Sequence, residues 1–299
     1  MVYHKPVLLQ ESIEALNIKK NGIYVDATFG GGGHSKMILK KMNGGKLFAF
    51  DQDLDSVKNS LNHKEFKLIH ANFRYIENFL KMEGVVKIDG LLADLGVSSY
   101  QFDVAARGFS FRFNSDLDMR MNSSNDLTAK YIVNNYSLED LANVFFKYGD
   151  LHNSKKIASA IVEFRKNNQI NSTKELAGII SKLYPKKILI KSLARIFQAI
   201  RIEVNDEITS LKEMLISAQS LLNPKGRIVI ISYHSLEDRL VKNLIKRGDF
   251  DGIIEKDLFG NVQKKLREIN KKVIVPSREE ITINSRARSA KLRIAEYNG

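Results

Sequence analysis

Residues Tyr24–Ser35 read YVDATFGGGGHS, and this stretch is the most informative feature of the chain. An apolar strand that ends in an acid leads into four consecutive glycines, and a helix is predicted to begin near the histidine. Glycine tolerates a positive φ, and without a Cβ it lets a ligand approach the backbone closely. Such a turn directs backbone N–H groups into a crevice that suits a nucleotide-like ligand. The stretch therefore predicts a cofactor site.

Apolar segments on both sides of this stretch predict an α/β sheet. The predicted strands are Gly22–Thr28, Lys46–Asp51, Lys67–His70, Ile88–Asp94 and Gly226–Ser232. The predicted helices between them are His34–Met42, Asp53–Asn62, Asn72–Glu83 and Asp206–Leu222, and another begins near Ser235. Short apolar strands that alternate with helices are typical of a parallel sheet covered on both faces. Strands at Leu266–Val275 and Ala290–Tyr297 are predicted to complete the sheet as an antiparallel pair.

Three of the predicted strands end in a carboxylate. These residues are Asp26, Asp51 and Asp94. Open α/β sheets bind their ligands outside the carboxyl ends of the strands. The three acids are therefore expected at the cofactor site.

A long helical stretch interrupts the alternation. Its predicted helices are Ser123–Asn135, Ser137–Tyr148, Ser154–Asn167, Ser172–Leu183 and Lys191–Val204. Ser or Thr stands near the start of most of them, as N-caps do. The stretch is far longer than an ordinary connection between a helix and a strand. We therefore predict a discontinuous sheet domain, 1–109 and 206–299, and an inserted all-helical domain at 110–205.

Composition narrows the class of protein. The chain has 299 residues, of which 43% are hydrophobic and 27% are charged, as in a soluble globular protein with one large domain or two smaller ones. No apolar run is long enough for a membrane span, and the N-terminus lacks a signal-peptide pattern, so a cytoplasmic protein is expected. The absence of cysteine excludes disulfides, thiolate zinc sites and cysteine nucleophiles. The histidines show no ligand spacing, so no metal is expected.

A net charge of +13 favours a polyanionic partner. Residues Lys264–Arg293 carry ten basic and three acidic side chains. A second basic group comprises Lys155, Lys156, Arg165, Lys166, Lys186, Lys187, Lys191, Arg195 and Arg201. Two basic surfaces suit RNA, whose phosphates supply affinity that does not depend on sequence.

The spacing of the glycines narrows the class of cofactor. The contiguous run Gly30–Gly33 does not meet the G-x-G-x-x-G dinucleotide pattern, and no Gly-Lys-Ser/Thr follows it, which excludes a P-loop. S-adenosylmethionine remains. Asp51, about twenty residues further on, is placed to bind ribose hydroxyls, or else caps the next helix. Phe73 would stack on an adenine or pack in the core, and His34 would contact the ligand or lie as a polar residue in the first helical turn.

Motifs along the whole chain resemble the ribosomal RNA small-subunit methyltransferase H family, also called MraW. They are HKPVLLQES (His4–Ser12), DATFGGGGHS (Asp26–Ser35), AFDQD (Ala49–Asp53), DGLLADLGVSS (Asp89–Ser99), RGFSFR (Arg107–Arg112), LDMRM (Leu117–Met121), FQAIRIEVNDE (Phe197–Glu207), ISYHSLEDRLVK (Ile231–Lys242) and RARSAKLRIAE (Arg286–Glu296). The resemblance implies a class I methyltransferase sheet, Rossmann-like, with an inserted helical domain that recognises the substrate. It also implies methylation, with S-adenosylmethionine, of the N4 amine of a cytidine in the decoding region of 16S rRNA in the small ribosomal subunit.

The same resemblance implies which residues hold the cofactor. Carried over by motif, they are Gly32, Gly33, His34, Asp51, Phe73, Asp94 and Gln101. Relatives often have a proline where this chain has Tyr100, which changes the stiffness of the loop and leaves the glutamine in place.

Catalysis of methyl transfer should come chiefly from positioning donor and acceptor. Many amino-methyltransferases carry an Asn/Asp-Pro-Pro-aromatic tetrapeptide after the fourth strand, and here DLGVSS (Asp94–Ser99) replaces it. We expect Asp94 near the methyl donor and Ser98 and Ser99 in the acceptor pocket. His234 is a candidate for contacting the base, with helix capping as its alternative role. The target nucleotide must be unpaired or extruded.

Other functions stay open at this level. A nicotinamide-dependent oxidoreductase, an rRNA-binding assembly factor without activity, and a methyltransferase acting on DNA or protein are the alternatives. Five arginines lie in the family motifs, and some are expected to bind RNA phosphates unless they form internal salt bridges. They are Arg107, Arg112, Arg120, Arg195 and Arg201. The sequence does not give the oligomeric state.

Overall fold

A computed structural model describes residues 6–254 and 264–299. The chain divides into two compact units. The sheet unit takes the residues up to Gly96 and those from Ile208 onward, and the helical unit takes Val97–Glu207. Among the described residues, no helix is both long and apolar enough to cross a membrane.

The sheet unit is built on a seven-stranded sheet. Its strands are β1 (Ile23–Asp26), β2 (Lys46–Asp51), β3 (Phe66–His70), β4 (Ile88–Asp94), β5 (Leu222–Ser232), β6 (Leu266–Glu268) and β7 (Lys291–Tyr297). They lie in the order β3-β2-β1-β4-β5-β7-β6. The first five strands are parallel, and β6 and β7 form the predicted antiparallel pair. β7 also runs antiparallel to β5. The strand order reverses direction between β1 and β4, which is where such sheets bind ligands.

Helices surround the sheet and make up the helical unit. In chain order they are α1 (Leu9–Leu16), α2 (Gly33–Lys41), α3 (Leu54–Val57), α4 (Ile76–Met82), α5 (Ser99–Asp103), α6 (Ala129–Asn135), α7 (Leu138–Gly149), α8 (Ser154–Arg165), α9 (Thr173–Ser181), α10 (Lys186–Asn205), α11 (Glu207–Leu221), α12 (Ser235–Arg247) and α13 (Arg278–Ile283). The predictions omitted α1, α5 and α13, which are short or follow no strong apolar period.

The strands are apolar because both faces of the sheet are covered. Successive side chains of a strand point to opposite faces. In β2, Phe48 and Phe50 belong to one apolar cluster, and Leu47 belongs to the other. All three side chains are fully buried. Burial of such side chains stabilises the fold by about 1.5–3 kcal/mol each.

Three predicted helices are clearly shorter than expected. The helix predicted at Asn72–Glu83 covers Ile76–Met82, after a 3₁₀ turn at Phe73–Tyr75. The helix predicted at Asp53–Asn62 covers only Leu54–Val57, because Asn59 donates its side-chain amide to the Gly30 carbonyl and so turns the chain towards the glycines. The helix predicted at Ser123–Asn135 begins at Ala129.

The delayed start of α6 has a physical cause. The Arg120 guanidinium donates hydrogen bonds to the carbonyl oxygens of Ser123 and Asn125. These carbonyls are then not available for helical hydrogen bonds. Thr128 then caps α6 by accepting a hydrogen bond from the Tyr131 N–H. In contrast, α10 begins five residues before the predicted Lys191, directly after Pro185, because proline is tolerated at a helix start.

The later strands also differ from their predictions. β5 begins at Leu222, where a helix was predicted to end, and continues through the predicted break at Pro224–Gly226. Residues 223–226 bulge out of the ladder, since Leu222 pairs with Ile88 and Arg227 pairs with Gly90. A bulge accommodates proline, which cannot donate to the ladder.

Of the last two predicted strands, the first is only partly present and the second is almost complete. The strand predicted at Leu266–Val275 ends at Glu268, and only an isolated bridge joins Ile274 to Leu292. The strand predicted at Ala290–Tyr297 is β7, which begins at Lys291.

The helical unit has its own apolar core, drawn from α6 to α10 and the segment before them. It begins at Val97, earlier than the predicted residue 110, because Val97, Phe102 and Phe109 pack against this core. It ends at Glu207 and not at residue 205. The loop that reads LDMRM in the sequence is fastened to the end of α10 by hydrogen bonds.

Asn205 makes this fastening, and its loss should destabilise the helical unit. Its Oδ1 accepts from the Met121 N–H at 2.7 Å, and its Nδ2 donates to the Met119 carbonyl at 2.8 Å. Asn205→Ala removes one hydrogen bond from each of these two buried backbone groups, so the free energy of unfolding should fall by about 3 kcal/mol. Urea denaturation followed by circular dichroism measures this. The matched control is Asn135→Ala, whose exposed amide bonds only within α6; equal losses in the two variants would contradict the assignment.

Candidate active site

The glycine turn lies between β1 and α2, as predicted. Gly30 has φ of +51° and Gly32 has φ of +74°, a conformation that L side chains rarely adopt. A Cβ on Gly30 would meet nothing within 4 Å, so the turn is open on that side. The Gly30 N–H donates to Asp51 Oδ2 at 2.7 Å, and its carbonyl accepts from Asn59 Nδ2 at 3.1 Å. Asp51 and Asn59 thus hold the turn in place, and the Cα of Gly30 is accessible to a ligand.

Gly33 has a different reason to be glycine. A Cβ there would lie 2.1 Å from Pro6 Cγ, so the residue lets the N-terminal segment pack against the start of α2. The Cα of Gly33 therefore faces protein. Its backbone N–H is the group that remains for the predicted cofactor contact.

Asp51 connects the end of β2 to the turn. Oδ2 accepts from Gly30, and Oδ1 accepts from the Asp53 N–H at 2.8 Å. Burial raises the pKa of Asp51 to about 6, although both hydrogen bonds act in the opposite direction. Asp53, and not Asp51, caps α3 by accepting from the Asp55 N–H. Helix capping is therefore not the role of Asp51, and its carboxylate has more acceptor sites than the two backbone hydrogen bonds occupy.

Asp94 stands at the carboxyl end of β4 among polar partners. Its N–H donates to Thr28 Oγ1 at 2.6 Å, and the Tyr233 hydroxyl donates to Oδ1 at 2.7 Å. Oδ2 lies 3.9 Å from His34 Nδ1. The side chain is 22% exposed, so a ligand can reach it. Burial raises the pKa of Asp94 to about 7 against the effect of the Tyr233 hydrogen bond, and the negative charges of Asp26, Glu237 and Glu280 raise it further.

His34 is a buried, neutral imidazole. Its Nε2 lies 3.2 Å from the Val7 carbonyl, which can only accept, so Nε2 carries the proton. Burial lowers the pKa of His34 to about 4. Its Nδ1 lone pair therefore faces Asp94, and no ion pair forms between the two side chains at neutral pH. A direct cofactor contact by His34 stays a prediction.

Asp26 completes a row of acids along the edge of β2, β1 and β4. It is fully buried and accepts from Ser35 Oγ at 2.6 Å. Burial raises the pKa of Asp26 to about 6. The three acids predicted to lie at this edge are all there, and each holds its proton to a higher pH than an exposed aspartate does.

The raised pKa of Asp94 makes folding depend on pH. Its value of about 7 lies above the ordinary value near 4, so its contribution to stability is complete below pH 4 and is lost as the pH rises to 7. Asp94→Asn removes this loss. The variant should therefore gain on the order of 4 kcal/mol over the natural chain between pH 4 and pH 8. Urea unfolding at both pH values measures the gain, and parallel pH profiles would contradict it.

Phe73 and His234 both have structural contacts. Phe73 follows β3 and is partly buried against the main apolar cluster of the sheet unit, which agrees with core packing and leaves part of the ring accessible. His234 is the N-cap of α12 in a capping box with Glu237, so its alternative role as a cap is observed. Its side chain is 8% exposed, and Nε2 lies 3.2 Å from Glu237 Oε1.

Ser98, Ser99 and Gln101 belong to the helical unit. Ser98 Oγ accepts from the Gln101 N–H at 3.2 Å, and Gln101 Oε1 accepts from the Ser98 N–H at 2.9 Å. This capping box starts α5, of which Ser99 is the first residue. Ser98 and Gln101 therefore have a local structural role, and their predicted roles in substrate and cofactor binding stay predictions.

Four of the five motif arginines make internal contacts, and those of Arg195, with Asp150, are the longest. Arg201 forms two 2.8 Å hydrogen bonds with the Glu207 carboxylate, and its side chain is 12% exposed. Arg107 donates to the Arg120 and Met121 carbonyls. Arg120 pairs with Asp118. These three hold the helical unit together, whereas Arg112 and Arg195 are more exposed.

Several other predicted basic side chains are also bound within their own unit. Arg165 donates to the Val133 and Tyr136 carbonyls. In the sheet unit, Lys291 and Arg293 both pair with Asp238, and Arg267 pairs with Glu296. The basic C-terminal region is therefore less available to RNA than its composition predicts.

Comparison with known proteins identifies the family. The model of the MraW methylase family matches residues 1–298. The chain belongs to the MraW methylase family. This methylase is 55% identical to "Ribosomal RNA small subunit methyltransferase H" of Flavobacterium johnsoniae, over 99% of this chain and 98% of that protein. It is 53% identical to the protein of the same name from Phocaeicola vulgatus, over 99% and 97%.

A likeness to solved structures is weaker. An rRNA methylase from Streptococcus thermophilus aligns over 100% of this chain and 99% of that chain, with a TM-score of 0.45 and 10% identity. The family match confirms the resemblance found in the sequence. It also confirms the class I α/β fold and S-adenosylmethionine as the cofactor of this methylase.

The residues of the sheet unit fit such a cofactor. Gly30 leaves open space above a turn of backbone N–H groups, and the Asp51 carboxylate beside it offers acceptors for ribose hydroxyls. The absence of phosphates in S-adenosylmethionine agrees with a turn that lacks the spaced glycines of a dinucleotide site.

The sequence did not identify Tyr233 and Thr28 as site residues. Both hydrogen-bond Asp94, and Tyr233 is 139 positions away from it in the chain. The position of Tyr233, directly after a predicted strand, could have indicated it. Because β4 and β5 are adjacent and parallel, the residue that follows the end of β5 lies near the end of β4.

Proposed function

We propose that this methylase transfers a methyl group to the N4 amine of a cytidine in the decoding region of 16S rRNA, in the small ribosomal subunit. The names of its relatives support rRNA of the small subunit as substrate. The observation that supports this chemistry is the position of Asp94. Its largely desolvated carboxylate lies at the carboxyl edge of the sheet, where the glycine turn also lies. A cytoplasmic location follows from this substrate.

We assign the cofactor to the glycine turn and the acids around it. S-adenosylmethionine supplies an electrophilic methyl group on a sulfonium. The residues proposed to hold it are Gly32, Gly33, His34, Asp51, Phe73, Asp94 and Gln101. Within the sheet unit, Asp51 keeps the turn open, and neutral His34 adds no positive charge that would repel a sulfonium.

We assign to Asp94 the handling of the proton. The cytosine N4 lone pair is delocalised into the ring, so an acceptor for one N–H hydrogen localises the pair on nitrogen. An amine nitrogen that forms a bond to a methyl group must lose one proton, and the Asp94 carboxylate accepts it. A pKa of about 7 is close to the ideal value for a general base at neutral pH. The Tyr233 hydroxyl occupies Oδ1 and leaves Oδ2 for this role.

The helical unit is proposed to recognise the rRNA. It contains an independent core and exposed basic side chains on α8 and α10. A protein of net charge +13 attracts a polyanion without sequence preference. Recognition by the helical unit would in addition fix where on the rRNA the protein binds.

Labelled methyl transfer tests the proposed substrate class. The protein is incubated with methyl-labelled S-adenosylmethionine and, in parallel, assembled small subunits, free 16S rRNA, DNA and total protein. We expect label in the rRNA of at least one of the first two. Label confined to DNA or protein would overturn the proposed substrate, and binding of NADH in preference to S-adenosylmethionine by calorimetry would overturn the reaction class.

A further inference from the structure

The helical unit carries a cationic surface that methyl transfer at Asp94 does not use. Its exposed or half-exposed basic side chains lie where α7 ends and where α8 and α10 begin: Lys147, Lys155, Lys156, Lys186, Lys187, Lys191 and Arg195. Two hydrogen bonds bring these chain segments together. The Tyr184 hydroxyl donates to Asn153 Oδ1 at 2.9 Å, and Arg195 Nη1 donates to the Asp150 carbonyl at 3.3 Å. We call this set the α7–α10 surface.

Three of these cations form a stripe along α10. Lys187, Lys191 and Arg195 are spaced four residues apart, so they lie on one face of the helix. Like charges at this spacing destabilise a helix. The acid at the end of the stripe is Asp150, whose Oδ2 lies 3.9 Å from Arg195 Nη2. One carboxylate beside three cations leaves the stripe positive, and a polyanion would complement it.

An exposed aromatic ring lies at the same end of α7. The Phe146 side chain is 58% exposed, whereas its neighbour Phe145 is fully buried in the core. The ring of Phe146 lies 6.4 Å from the ring of His152, at 63°. His152 is two residues from Asp150, which contacts Arg195. An exposed aromatic face beside a stripe of cations is the combination with which proteins bind unpaired nucleic acid.

We propose that the α7–α10 surface binds a single-stranded segment of RNA, with a base stacked on Phe146 and the phosphates on Lys187, Lys191 and Arg195. A duplex would use the cations but not the ring, because its bases are already stacked. The inference rests on the proposed function, since it takes the RNA to be the rRNA substrate. The helical unit would then bind RNA through residues that take no part in methyl transfer.

The test measures RNA affinity with the full-length protein. The probe is a fluorescent single-stranded RNA of about 12 nucleotides, compared with a duplex of the same length. Phe146→Ala should weaken binding of the single strand about tenfold, and Phe146→Trp should restore it. Tyr131→Ala is the matched control, since that ring is also exposed (53%) but lies on α6. It should leave the affinity unchanged.

The cations are tested by the salt dependence of binding. The double variant Lys187→Gln and Lys191→Gln should reduce the slope of log K against log salt by about 1.4, which corresponds to two phosphates on a single strand. The control double variant is Lys67→Gln and Lys81→Gln. Both lysines are exposed side chains of the sheet unit, and they are paired with Glu83 and Glu77. This control should leave the slope unchanged.

Each outcome bears on the inference. Equal affinity of Phe146→Ala and the natural chain for the single strand, or an equal loss in Phe146→Ala and Tyr131→Ala, would overturn it. An unchanged salt slope in the Lys187/Lys191 variant would also overturn it. Failure of the proposed function looks different: the natural chain would transfer no methyl group to rRNA, whatever the variants bind.

Discussion

Replacing Asp94 with asparagine is expected to lower the rate of methyl transfer by about 10²- to 10⁴-fold. The amide has nearly the same shape as the carboxylate and can accept a hydrogen bond, but it cannot take up a proton near neutral pH. The Tyr233 hydroxyl can still donate to the amide oxygen, so the surrounding structure has no reason to change. The loss should therefore fall on the chemical step.

Single-turnover transfer from labelled S-adenosylmethionine, with the protein in excess over small subunits, measures that step. Calorimetric titration of the cofactor then separates chemistry from binding. Asp55→Asn is the matched control, because Asp55 is an aspartate of the same unit that pairs with Lys58 on α3. A rate within a few-fold of the natural chain for Asp94→Asn would show that another group takes the proton.

The pH profile of the natural chain should reflect the same carboxylate. Activity requires ionised Asp94, so the rate should rise with pH through about 7. The Tyr233 hydrogen bond lowers the pKa of Asp94, so Tyr233→Phe should shift the profile to higher pH. Single-turnover rates between pH 5.5 and about 9 measure the shift. Superimposable profiles would contradict the coupling between the two side chains.

Replacing Asp51 with alanine is expected to weaken S-adenosylmethionine binding by about 10- to 100-fold. The variant loses the acceptor for the Gly30 N–H and the acceptor for the Asp53 N–H, so the glycine turn loses its support from β2. It also loses the carboxylate assigned to the ribose. Both losses should weaken binding of the cofactor, and neither should affect the transfer of the amine proton to Asp94.

Calorimetry with S-adenosylmethionine measures this loss. Asp51→Asn should bind with intermediate affinity, because an amide keeps one of the two acceptor atoms. Asp55→Ala, two residues after the N-cap Asp53 of α3, serves as control and should bind as the natural chain does. Unchanged affinity in Asp51→Ala would place the cofactor elsewhere.

The strands and the acids at their ends were accessible from the sequence because both depend on local patterns. Runs such as Lys46–Asp51 are apolar at almost every position, which identifies a strand covered on both faces. The glycine turn was identified for a similar reason, since contiguous glycines have few other uses. The antiparallel β6 and β7 pair was predicted from two apolar runs that follow the last predicted helix.

The parts that the sequence missed depend on contacts between distant residues. Asn59 ends α3 early through its hydrogen bond to Gly30. Position 33 requires glycine because Pro6, 27 residues earlier in the chain, packs against it. Whether Asp51 capped a helix or stayed available for ribose hydroxyls could not be decided before the side chains had partners. The same is true of Arg201, whose charge favoured RNA until the carboxylate of Glu207 was found beside it.

The most direct test of the account is the position of the methyl group on the rRNA. Small subunits are methylated with the natural chain and with Asp94→Asn, the 16S rRNA is digested to nucleosides, and the labelled nucleoside is identified by mass spectrometry against synthetic standards. We expect N4-methylated cytidine from one site in the decoding region, with the yield strongly reduced in the variant. Label on a ring carbon, on a ribose or on another base would contradict it.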